Sequence, residues 1–177
     1  MEGNRIFFLG NYYYHRTSVA NKSKKESLNE FLEKCQFPNF KRDVSTFPDG
    51  SFACATFISK DVGSSSYSSD VYVIDDIAKT NLYDLPVEVI IVIDEEDKSQ
   101  ILSFPFLQDG TSIAYKYFFE TVKEYTKKEP RVIFPDRLDA QLSACQKVFP
   151  NSKIVYCRVH LRRDLLKYFD VKDEIII

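Results

Sequence analysis

The stretch VYVIDDIAKTNLYDLPVEVIIVIDEEDKSQILSFPFL, residues 71–107, decides the fold. It holds three β-rich runs, at 71–74, 87–93 and 100–107, with no helical periodicity between them. Three consecutive strands with such connections predict an antiparallel meander. The middle run is nearly continuous in Val and Ile, which predicts a strand that is buried on both faces.

Downstream of this meander, helical and extended patterns alternate. Apolar residues at helical spacing predict helices that begin after Asp109, near Leu138 and near Leu161. Strands are predicted between them, over 131–134 and 153–156. The resulting order, βββαβαβα, is the RNase H-like arrangement, an α/β fold with a mixed five-stranded sheet and helices on its faces. A doubly wound α/β fold would need helices between the first strands.

The N-terminal part of the chain has the pattern of a small α+β appendage. A capping box followed by apolar residues at helical spacing predicts a helix near 24–35. A strand is predicted near 51–59, and the Gly/Ser-rich stretch 61–69 is typical of a loop or linker. We therefore predict an appendage over residues 1–69 and a core over residues 70–177.

Length and composition indicate an ordinary globular chain. The 177 residues, 44% of them hydrophobic, correspond to about one domain. A net charge of −2 excludes a strongly basic nucleic-acid coat protein. The longest apolar runs are far too short to span a bilayer, and no segment has the pattern of a secretory leader. The sequence therefore predicts an intracellular protein with no membrane partner.

Charge is unevenly distributed along the chain. Residues 70–109 contain ten acidic and two basic residues, a net charge of −8, whereas residues 116–167 contain six acidic and twelve basic residues, a net charge of +6. Such asymmetry is expected of a metal-binding face beside one that faces nucleic acid. Two solvated faces would give the same pattern, so charge alone leaves both interpretations open.

Two aspartates occupy the positions where this fold would place a catalytic pair. In a sheet of this order the first core strand lies beside the fourth, so Asp75 and Asp136 would follow neighbouring strands. Two close carboxylates repel each other unless a divalent cation lies between them. Two-metal enzymes that act on nucleic acid use such a pair. Both aspartates could instead be loop or cap residues, and Asp76 would replace Asp75 if the strand slipped by one residue.

Three sequence blocks resemble those of Mutator-like (MULE) transposases. DDIAKTN at 75–81, followed by Pro86, resembles the family's D-x-T-Y-K-T-N…P block. FPDR at 134–137, followed by VFPN at 148–151, resembles the block that holds the second Asp. YCRVHL at 156–161 resembles the C-R-W-H block. The order and spacing of the three blocks agree with the family over roughly residues 70–167.

The resemblance implies a DDE-type transposase core that cuts and joins DNA with Mg²⁺ or Mn²⁺. Carried over by position, Asp75 and Asp136 would be catalytic metal ligands, and Cys157 and His160 would be a Cys-x-x-His pair beside the site. DNA is the implied partner, self-association is a further candidate, and the location would be nuclear in a eukaryote. The candidate DNA contacts are Lys79, Arg158, Arg162 and Arg163, although the three arginines would also fit a solvated helix face.

The sequence also departs from the family pattern. Ile77 and Ala78 stand where the family has Thr and Tyr, and Val159 stands where it has Trp. The third acid of such enzymes lies well downstream of the Cys-x-x-His pair, and Glu174 is too near to His160 to be its equivalent. We therefore expect a core that stops before its third acid. It would be a fragment of a longer transposase or a non-catalytic relative that binds DNA or protein.

Overall fold

A mixed sheet of seven strands runs through the described part of the chain, and helices pack on it. The structure is a computed structural model that describes residues 28–61, 70–77, 81, 83–93, 96, 98–136, 138–156, 162 and 168. In chain order the elements are α1 (Leu28–Lys34), β1 (Phe40–Thr46), β2 (Phe52–Ser59), β3 (Val71–Asp76), β4 (Glu88–Ile93), β5 (Ser99–Leu107), α2 (Ser112–Thr126), β6 (Val132–Phe134), α3 (Asp139–Val148) and β7 (Lys153–Ile154).

The third strand, β3, is an inner strand of this sheet. The strand order is β1-β2-β5-β4-β3-β6-β7. β3 pairs antiparallel with β4 and parallel with β6, and β4 pairs antiparallel with β5. The predicted meander is therefore confirmed, as is the place of the first core strand beside the strand that precedes Asp136.

The predicted number of five strands is wrong, because β1 and β2 extend the same sheet. β2 pairs antiparallel with β5, and β1 pairs antiparallel with β2 at the edge of the sheet. All residues of β2 after Phe52 are buried, so this strand needs cover on both faces. The sequence pattern did not predict β1, because this strand is polar and mostly exposed. The division of the chain after residue 69 stays a prediction, since residues 62–69 lie outside the described residues.

The N-cap of helix α2 lies two residues after Asp109, the residue that the sequence predicts to precede this helix. Thr111 is the N-cap, and its side chain accepts a hydrogen bond from the backbone N–H of Ala114. Asp109, the predicted cap, instead accepts bonds from the backbone N–H and the hydroxyl of Thr111. A threonine hydroxyl can donate one hydrogen bond and accept another, so Thr111 links the carboxylate of Asp109 to the first turn of α2. Of the helix predicted near Leu161, the structure describes Arg162 and Tyr168, and both are helical.

Two apolar clusters cover the two faces of the sheet. On the face that we call the α2 face, Tyr72 and Ile74 of β3 pack with residues of α2 and α3 such as Phe118 and Cys145. On the other face, the α1 face, residues of α1 such as Phe31 pack with β2 and β5. Among the described helices none combines the length and the apolar character that crossing a bilayer requires.

Candidate functional site

The predicted aspartates lie at one end of the strands of the sheet, where β3 and β6 both finish. β3 ends with Asp75 and Asp76, and Asp136 follows β6 by two residues. The two strands are parallel, with Val73 paired to Phe134. Asp75 and Asp136 each lie two residues beyond this pair, so both follow the same end of neighbouring strands. The structure thus brings together the two positions that the sequence singles out, while their catalytic role stays a prediction.

Strand alternation separates the two neighbouring aspartates. Side chains of successive strand residues point to opposite faces of a sheet. Tyr72 and Ile74 belong to the cluster on the α2 face, so Asp76 shares that face. Ile77 packs against the cluster on the α1 face, which is the side of Asp75.

The carboxylates are close enough to influence each other's ionisation. The pKa of Asp76 is raised, first by partial loss of hydration and then by the negative charges of Asp136 and Asp75. Repulsion of this kind is relieved when a cation binds between the carboxylates. The group therefore has the electrostatic character of a site that would bind a cation.

A buried carboxyl that the sequence analysis did not single out lies beneath this group. Glu88 is the register partner of Asp76 in β4, and its side chain is fully buried. The hydroxyl of Tyr115 donates to its Oε1 at 2.6 Å, and Nε2 of Gln141 donates to its Oε2 at 2.8 Å.

The environment of Glu88 favours its neutral form. The pKa of Glu88 is raised to about 8, mainly by burial; the charges of the three aspartates add to this rise, and the Tyr115 hydrogen bond opposes it. The pKa of Tyr115 is itself raised by burial, by Glu88 and by Asp76 and Asp136. A signal for Glu88 was present in the sequence, because this acid interrupts a Val/Ile run that was predicted to be buried.

The donor set fits a hard divalent cation. Mg²⁺ and Mn²⁺ prefer carboxylate oxygens, and Mg²⁺ commonly keeps several waters while binding one or two carboxylates. Within the described ranges, no three His, Cys, Asp or Glu side chains converge in a ready-made metal site. A cation here would therefore be held by Asp136 with Asp75 or Asp76, and by water.

Asn81, the last residue of the block that resembles D-x-T-Y-K-T-N, holds the described turn before β4. Asn81 is buried, and its Oδ1 accepts from the backbone N–H groups of Tyr83 and Leu85. Its Nδ2 donates to the carbonyl of Leu85 at 2.7 Å. These bonds give Asn81 a structural role in holding residues 83–85 ahead of β4.

Of the remaining predicted site residues, the structure describes Arg162. Arg162 is exposed. Lys79, Cys157, Arg158, His160 and Arg163 lie outside the described residues, so their predicted roles stay predictions.

Comparison with known proteins agrees with the three sequence blocks. A family model described as the MULE transposase domain matches residues 71–164, just over half of the chain. The protein FAR1-RELATED SEQUENCE 6 of Arabidopsis thaliana is 26% identical over 102 residues, which cover 58% of this chain. The matched region is 14% of that relative's length.

Proposed function

The chain belongs to the MULE transposase domain family, and on that premise we propose that it forms the metal-binding, DNA-directed core of a transposase. The observation that carries this proposal is the placement of Asp136 at the same sheet edge as the aspartates that end β3. The matched region is a small part of the Arabidopsis relative, so the activity of a whole transposase is a proposal for this chain. A nuclear location, where the chain would meet its partner DNA, is also a proposal.

The order of the core strands supports an RNase H-like assignment. Without β1 and β2 the order is β5-β4-β3-β6-β7, with an antiparallel meander followed by two strands added in parallel. This is the order that the pattern βββαβαβα predicts. It gives a physical reason for a carboxylate pair at the ends of β3 and β6, since these strands are neighbours.

In this proposal the aspartates would hold a divalent cation that takes part in the chemistry on DNA. The bound metal would supply Lewis-acid stabilisation of charge during phosphodiester cleavage and strand transfer. Asp136 and the aspartates that end β3 would position it, while the buried Glu88 would stay neutral beneath them. Cys157 and His160 would lie beside the site, and self-association stays a prediction.

Titration with Mn²⁺ tests the proposed site. We expect saturable binding by the wild-type chain and a loss of affinity of about tenfold or more in Asp136→Asn, because the variant removes one charged ligand. Asp61→Asn is the matched control, since Asp61 is exposed and follows β2 at the opposite end of the sheet. Equal affinity of the wild type and Asp136→Asn would contradict the site assignment.

Binding to duplex DNA tests the proposed partner. We expect the affinity to fall as salt rises, because each phosphate contact releases counterions. Arg162→Glu should weaken binding and lower the slope of log affinity against log salt by about 1. Lys41→Glu, an equivalent reversal at an exposed position of the edge strand β1, should leave that slope unchanged. Absence of binding at low salt would contradict a DNA partner for this chain.

A second candidate function is a non-catalytic module that keeps the fold and binds DNA or protein. The observation that favours it is the place of Ile77, which packs against the apolar cluster on the α1 face where the family has a polar Thr. The two candidates differ in turnover. Duplex DNA nicked by the chain in the presence of Mn²⁺ would support the transposase core, and bound but intact DNA would support the module.

A further inference from the structure

Three buried polar side chains meet within the apolar layer on the α2 face. Glu88 and Gln141 are fully buried and Tyr115 is 2% exposed. Glu88 joins the other two through its two oxygens, one bonded to Tyr115 and one to Gln141. Tyr115 belongs to the apolar cluster of this face, where its ring stacks with that of Phe119. We call this group the Glu88 triad.

The Glu88 triad links the two parts of the chain that carry the aspartates. Glu88 lies opposite Asp76 in the β3–β4 pair, so it is attached to the strand end that holds Asp75 and Asp76. Gln141 lies in the first turn of α3, the helix that begins just after Asp136. The bond between Glu88 and Gln141 therefore spans from the end of β3 to the segment that positions Asp136. Tyr115, in the first turn of α2, holds the same carboxyl from a third direction.

Packing alone does not account for the Glu88 triad. An apolar side chain at each of these positions would avoid the loss of hydration that buried polar groups suffer. The triad is also incompletely satisfied, because Oε1 of Gln141 is buried without a hydrogen-bond partner in the described part of the chain. A buried network with an unpaired oxygen is destabilising relative to an apolar core. Its location directly under the carboxylates offers a reason for its presence.

We propose that Glu88 is a positioning residue of the carboxylate site, which sets the separation between the β3 aspartates and Asp136 through its bonds to Gln141 and Tyr115. The proposal rests on the proposed metal site but makes a distinct claim about it. Glu88 acts through hydrogen bonds and shape rather than as a charged ligand. Residues that orient metal ligands in this way commonly affect metal affinity by about 10- to 100-fold when they are removed.

The test compares two substitutions of Glu88. Glu88→Leu fills much of the same volume but removes both hydrogen bonds, and we expect its Mn²⁺ affinity to fall by about tenfold. Glu88→Gln keeps both bonds, because its Oε1 can accept from Tyr115 and its amide can donate to Oε1 of Gln141 after rotation of that side chain. We expect this variant to retain wild-type Mn²⁺ affinity within about threefold. Loss of affinity in Glu88→Gln equal to that in Glu88→Leu would overturn the proposal in favour of a charged role.

A readout without metal separates this proposal from the proposed function. In the metal-free chain, the backbone amide resonances of Asp75, Asp76 and Asp136 should shift in Glu88→Leu and return towards their wild-type positions in Glu88→Gln. If the wild type binds no Mn²⁺, the proposed function fails and the amide shifts alone decide the positioning role. Unchanged shifts in Glu88→Leu would overturn it. Should Glu88→Leu not fold, Gln141→Met, which removes only the bond to α3, takes its place with the same expected results.

Discussion

The wild-type chain is expected to lose stability as the pH rises from about 5 to about 8. The substitution Glu88→Gln is expected to prevent most of this loss. The pKa of Glu88 rises from an ordinary value of 4.5 to about 8 in the folded chain. The folded state therefore holds this proton more tightly than the unfolded state does. The stabilising contribution of Glu88 is complete below the pKa that this group has in the unfolded chain. The contribution is lost as the pH rises through the pKa that the group has in the folded chain.

The expected effect is large because Glu88 is fully buried. One pKa unit corresponds to about 1.4 kcal/mol, so the free energy of unfolding should fall by on the order of 3 kcal/mol over this range. Glutamine has the shape of the neutral acid but does not titrate. The difference in stability between variant and wild type should therefore move in favour of the variant as the pH rises.

Urea unfolding at several pH values measures this difference. The matched control is Glu120→Gln on α2, where the exposed carboxylate forms an ion pair with Lys116. Such a surface pair contributes little, so the control should follow the wild-type profile within about 0.5 kcal/mol. Parallel profiles of Glu88→Gln and the wild type would show that Glu88 is already ionised in the folded chain.

Local patterns were sufficient to predict most of the core. The Val/Ile-rich run over 87–93 predicts the meander, because the connections on either side of it show no helical periodicity. The placement of Asp136 followed from strand order alone. By contrast, β1 lacks an apolar pattern because an edge strand is paired on one side only, and its polar residues gave no signal.

The finer features of the site depend on contacts that are distant in sequence. Glu88 is separated from Tyr115 by 27 residues and from Gln141 by 53, so no local pattern could show that they meet. Its place in an apolar run was an anomaly that sequence reasoning could notice without explaining. The choice between Asp75 and Asp76 depends on which face each side chain takes, and a shift of one residue in register exchanges them.

The sequence motif and the electrostatics of the site favour different residues, Asp75 and Asp76, as the partner of Asp136. The Lys-Thr-Asn spacing assigns Asp75 to the family's first catalytic position. Strand alternation places Asp76 on the α2 face, where Asp76 and Asp136 both raise the pKa of Tyr115. The charge of Asp136 also raises the pKa of Asp76 more than the charge of Asp75 does, so the electrostatics favour Asp76 as the partner of Asp136.

We therefore expect Asp76→Asn to weaken Mn²⁺ binding by about tenfold or more, and Asp75→Asn to weaken it by less than about threefold. Both variants keep the size of the side chain, and they differ only in which charge they remove. Calorimetric titration of the two, beside Asp61→Asn, ranks them directly. A larger loss in Asp75→Asn than in Asp76→Asn would contradict this ranking and support the motif register, in which Asp75 is the partner of Asp136.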